Sequence, residues 1–112
     1  MRVLLLALLL GQLCLAEGVD FKLLQTTATN WLEKNPARVR VIPERPKFVG
    51  PLMGWRQTFY VMTYQTGATA EWVWLTPDKG GVWRVTGYRA KRGEKVLKEW
   101  GDRPKPLNTR FK

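Results

Sequence analysis

Residues 17–112 predict an α+β domain, one N-terminal helix packed on a curved four-stranded antiparallel meander sheet. Three observations carry this. A single 3.6-residue apolar period occurs early, at 19–35. Several short segments with period-two alternation follow it, and the connections between them have the turn chemistry of hairpins.

In residues 19–35, Phe21, Leu24, Ala28, Trp31 and Leu32 fall on one helical face, Asp20 is placed to cap the first turn, and Asn35-Pro36 ends the run. Three threonines lower the intrinsic propensity, so packing must hold this helix. Residues 37–42 alternate as a half-buried strand. Pro43, Pro46, Gly50, Pro51 and Gly54 make 43–54 a loop. In the strand at 55–65, Trp55, Phe59 and Val61 point one way while Tyr60, Met62 and Tyr64 point the other. Thr66-Gly67 turns the chain into a strand at 68–75, with Trp72 and Trp74 opposite Glu71, Val73 and Leu75. Asp78-Lys-Gly-Gly81 forms a hairpin loop leading into the last strand, 82–92. Covering large apolar side chains with the helix contributes about 1.5–3 kcal/mol each, with Trp31, Phe59 and Trp83 as principal anchors. Gly87, inside that last strand, lets the sheet bend or lets another group approach closely, and curvature is the favoured reading. After it, residues 93–112 read as a basic segment made of a short helix at 94–100 and a loose tail.

Residues 1–16 have the three-part build of a secretory signal peptide. Met1-Arg2 is followed by an apolar run at 3–10, and small residues precede a cut after Ala16. The run falls short of the roughly 20 apolar residues of a spanning helix, and Leu13 before Cys14 disfavours lipid attachment. Cleavage leaves a domain at 17–92 and the basic segment, secreted or periplasmic, with no membrane span and no cysteine. It has 18 basic against 9 acidic side chains, a formal charge of +9, compared with +10 for the full chain. Neither part contains histidine.

Trp31-Leu32 in the first helix, the strand Phe59-Tyr60-Val61-Met62-Thr63-Tyr64, the strand Glu71-Trp72-Val73-Trp74-Leu75 and the hairpin from Asp78 to Tyr88 together resemble one family. It is a small secreted bacterial domain-of-unknown-function family of the cystatin-like, nuclear-transport-factor-2-like class. The resemblance covers roughly residues 20–90 and implies the helix-on-sheet fold. Its members usually carry further helices where this chain has only the Pro-rich loop. The resemblance implies no particular activity.

Catalytic chemistry has little to work with. Without histidine, and without cysteine after cleavage, nucleophile–base and zinc-type arrangements lack their usual groups. No catalytic residue, metal or cofactor is expected. Asp78 reads as a turn residue, and Glu71 as half of a structural ion pair with Arg84. Two binding surfaces are expected instead. The first is a ligand or partner face of Tyr60, Met62, Tyr64, Trp72, Trp74, Arg84 and Tyr88. It is either exposed and available for a homodimer, or covered by loop 43–54 and the C-terminal segment. The second is an anion-binding set, Arg89, Lys91, Arg92, Lys95 and Lys98, suited to a polyanion such as nucleic acid or an acidic polymer. The sequence therefore points to an exported, non-enzymatic binding or interaction domain, with a cell-envelope anion-binding protein as the alternative.

Overall fold

The computed structural model describes residues 20–34 and 45–107. The expected leader with Cys14 and the expected strand at 37–42 lie outside the described residues. Helix α1 is Phe21–Lys34. Asp20 caps it, its carboxylate accepting the Leu23 N–H at 3.2 Å and its carbonyl the Leu24 N–H at 3.1 Å. Leu24, Ala28 and Leu32 are buried against the sheet and Trp31 is half-buried. Phe21 is 46 % exposed, yet its ring meets Tyr60 edge to face at 5.3 Å.

Five strands form one open antiparallel sheet in chain order: β1 Lys47–Met53, β2 Tyr60–Thr66, β3 Thr69–Pro77, β4 Trp83–Arg92 and β5 Lys95–Gly101. The expectation of four strands is corrected at both edges. The supposed loop at 43–54 contains β1, because Pro51 sits on an edge strand, where a missing N–H is tolerated, and Gly50 adjoins a register shift that absorbs the irregularity. The supposed helix at 94–100 is β5. Gly93, at φ +61, closes a tight turn that lays the segment against β4, and seven residues are too few to hold a helix without tertiary support. Strand β2 also starts later than expected. Residues Trp55–Gln57 form a single helical turn, with Arg56 and Gln57 both at positive φ.

The two faces of the sheet bury different clusters. Tyr60, Met62 and Tyr64 of β2, Val73 and Leu75 of β3, and Tyr88 and Ala90 of β4 pack under α1, with Trp31 and Trp83 at the margin. Phe59, Val61 and Trp74 form the second cluster on the opposite face, flanked by Leu52 and Trp72. Trp31 and Trp83 thus pack on the helix-side core, but Phe59 does not face the helix. The reason is polar. The Tyr64 hydroxyl shares a hydrogen bond with Thr29 at 2.9 Å and donates to the Gln25 carbonyl at 3.2 Å, so a tyrosine face finds its partners on the helix itself. Burial raises the Tyr64 pKa above its ordinary value; the Thr29 hydrogen bond opposes this and the negative charge of Glu71 adds to it.

Residues 102–107 are not a loose tail. After Gly101 (φ +74) they cross the face opposite the helix as a strap. The Asp102 N–H donates to Thr86 at 2.8 Å and the Leu107 N–H to Met53 at 3.0 Å. The Trp74 indole N–H donates to the Pro104 carbonyl at 2.8 Å, and Pro106 is buried. Gly87 answers to this strap as well as to sheet shape. Its register faces a shift between Trp74 and Leu75, and a Cβ placed there would collide with the Asp102 carbonyl.

The β3–β4 turn is organised by Asp78. One carboxylate oxygen accepts the N–H of Gly80 at 2.9 Å and of Val82 at 3.0 Å, and the other lies 2.7 Å from the Arg84 guanidinium. Arg84, with the Val82 and Gly80 amides, holds the Asp78 carboxyl below its ordinary 3.8. The unfolded chain therefore takes up this proton at higher pH than the folded one. The stabilising contribution is full above that value and is lost as pH falls through the lower folded-state pKa. Asp78→Asn is expected to flatten the acid limb of thermal stability between about pH 2 and 5; an unchanged limb would show that the turn does not depend on this charge.

Candidate functional site

An open cleft of about 360 Å³ lies between α1 and the helix-side surface of β4 and β5. Trp31 and Thr27 enter it from α1, Trp83, Arg84 and Val85 from β4, and Trp100 from β5. The registers explain the gathering. Tyr88 pairs with Trp100 across β4 and β5, placing the Trp100 indole on the helix side. There it stacks on Trp31, centroids 5.6 Å apart and planes 29° inclined. Trp31 in turn leans on the buried Tyr88 at 5.0 Å. On the other side Trp83 is anchored edge to face on Tyr60 at 5.6 Å. Two aromatic walls, each fixed to a buried tyrosine, thus stand on either side of Val85. Trp100 remains 38 % exposed. The polar residues of the lining are otherwise engaged, the Thr27 hydroxyl donating to the Leu23 carbonyl at 2.8 Å and the Arg84 guanidinium held by Asp78 at 2.7 Å; no carboxylate lines the cleft.

The expected ligand face does not form one open surface. Tyr60, Met62, Tyr64 and Tyr88 are buried beneath α1. Trp74 is fully buried on the other side of the sheet, tied to the strap, with Trp72 half-buried near it. Arg84 is exposed and paired with Asp78 at 2.7 Å, not with Glu71 as expected. Glu71, 0 % exposed, accepts hydrogen bonds from the Thr66 hydroxyl at 2.5 Å and from the Tyr88 hydroxyl. It is a bridge inside the core. Neither alternative left open by the sequence describes them: α1, and not loop 43–54 with the C-terminal segment, covers the tyrosines and Met62, and of this set Trp74 is the one tied to the strap.

The expected anion-binding residues all lie on the β4–β5 hairpin but divide between its faces, Arg89 and Lys91 by register on the face opposite the helix, Arg92, Lys95 and Lys98 on the helix side. Arg89 faces Glu99 at 3.3 Å, and the Arg92 guanidinium donates to Thr69 at 3.2 and 3.1 Å. Lys98 pairs in register with Ala90 and shares the helix-side face with Trp100, while Lys95 pairs with Arg92 at the turn. The sequence reading missed Trp100 as a site residue because it assigned 94–100 to a helix. The signal was the Gly93 turn directly after a strand, which offers the following Lys95–Gly101 segment as a hairpin partner. Among the described residues no group of three or more metal-capable side chains comes together.

No protein-family model, curated protein or solved structure matches this chain.

Proposed function

We propose that this protein is an exported, non-enzymatic binding domain, secreted or periplasmic, that holds its ligand in the tryptophan cleft between α1 and β4–β5. The observation that carries the reading is the cleft itself: Trp31, Trp83 and Trp100 line one concave space of about 360 Å³, a volume within the roughly 300–1,000 Å³ of ligand pockets. Trp31 and Trp83 are partly buried in the core, whereas Trp100, stacked on Trp31, stays 38 % exposed at the open edge. A helix laid on a sheet is also the arrangement that the cystatin-like resemblance implies.

The test is an equilibrium titration followed by tryptophan fluorescence, using N-phenyl-1-naphthylamine as an uncharged aromatic probe. The probe should bind and quench. Trp100→Ala should weaken it by about 0.5–1.5 kcal/mol, the worth of one ring–ring contact, while the loss of its stack on Trp31 lowers unfolding free energy by a similar amount and leaves the protein folded. Equal affinity in the wild type and the variant would remove the cleft from consideration.

A further inference from the structure

We infer that the natural ligand of this cleft is a stretch of acidic polysaccharide, one sugar ring stacked among the tryptophans and the neighbouring carboxylates laid along β5 over Lys98 and Lys95. The inference rests on the cleft being the binding site.

The arrangement of β5 supports it. This edge strand joins the cleft to the basic hairpin, so the aromatic and cationic surfaces that the sequence separates are one continuous track. Trp100 and Lys98 are two residues apart on the same face, and Lys95 follows at the turn beside Arg92. Charge is sorted across the strand. Glu99 lies on the opposite face, held by Arg89 at 3.3 Å and Arg103 at 3.4 Å. Lys95 and Lys98 form no ion pair among the described residues, in contrast to Arg84, Arg89 and Arg103. An anion approaching the helix-side margin of β5 meets uncompensated ammonium groups, in a chain whose formal charge is +10.

The cleft sets the rest of the chemistry. It is open rather than enclosed, which suits a segment of a chain that enters and leaves. Its tryptophan π-faces accept the apolar C–H face of a pyranose, and the indole N–H is a donor suited to ring hydroxyl and carboxylate oxygens. A cationic ligand would find no carboxylate in the lining to offset the surrounding positive charge. Single-stranded nucleic acid shares the combination of stacking and charge, but export, as proposed above, would place the protein among acidic glycans.

The test titrates the full chain with oligogalacturonate, a neutral malto-oligosaccharide and a single-stranded thymidine oligonucleotide, each competed against the naphthalene probe. Oligogalacturonate should displace the probe, bind about tenfold or more tightly than the neutral sugar, and weaken steeply between about 50 and 200 mM salt. The double variant Lys95→Gln/Lys98→Gln, both at exposed or half-buried positions of the hairpin, should lose about tenfold in oligogalacturonate affinity and much of the salt slope while binding the probe as before. Tighter binding of the oligonucleotide would replace the glycan by nucleic acid. Probe binding without any preference for the acidic sugar, or without an effect of the lysines, overturns the ligand class and leaves the cleft standing. If the probe itself does not bind, the cleft reading goes first and this inference with it.

Discussion

Trp74→Ala is expected to cost about 3–5 kcal/mol of unfolding free energy, the range for emptying a large aromatic site in a core. Trp74 is fully buried, packs with Phe59 and Val61, and donates its indole N–H to Pro104. Truncation removes the ring from the second cluster and at the same time leaves the Pro104 carbonyl without this donor. A domain of this size has a total stability of about 5–15 kcal/mol, so the variant should be near the edge of folding at ambient temperature. Urea denaturation of the purified protein measures it directly. Trp74→Phe, which keeps most of the ring but loses the donor, should fall between the two, and a loss below about 1 kcal/mol for the alanine variant would mean that the strap-side cluster is not a real core.

The second large effect is expected at Gly87. Valine there would place its Cβ and methyl groups against the Asp102 carbonyl and the Arg103 side chain. Backbone must move, because the nearest obstacle is a peptide oxygen rather than the end of a flexible side chain. Overpacking of this kind costs about 1–3 kcal/mol. More telling than the magnitude is its location. The Asp102 and Leu107 amides, which donate to Thr86 and Met53, should lose hydrogen-exchange protection together, while amides of α1 keep theirs. Uniform loss across the molecule would assign the glycine to sheet shape alone.

How far the sequence could be read differs from element to element, for identifiable reasons. The helix, its Asp20 cap and its buried stripe were legible because a 3.6-residue period and a capping side chain are local signals. The β2–β3 and β3–β4 hairpins were legible from Thr66-Gly67 and from Asp78 to Gly81, whose turn chemistry is also local. Strand β1 was hidden by Pro51 and Gly50, which punctuate a loop in general but are tolerated at a bulged edge. Strand β5 was hidden because residues 94–100 carry helix-compatible Glu, Lys and Leu, and only pairing with β4 decides the matter. The face reversal has a subtler origin. Period two separates the side chains of β2 into two sets but cannot say which set meets the helix. Tyrosines look like the wetter set until Thr29 and Gln25 are seen to satisfy the Tyr64 hydroxyl. The cleft was hidden by the misreading of β5, since it needs Trp100 on a strand, whereas Trp31 and Trp83 were expected on the helix side and lie there. Its basic neighbours were visible as a charge cluster, without any indication that they adjoin an aromatic wall.

The segment that returns from the last strand to the first does what a covalent cross-link does in many small exported proteins. By anchoring residue 107 to Met53, it closes a circuit through all five strands, so neither margin of the sheet can peel away without breaking the other's tether. Such a closure is reversible and needs no oxidant, which suits a polypeptide whose single cysteine lies at position 14.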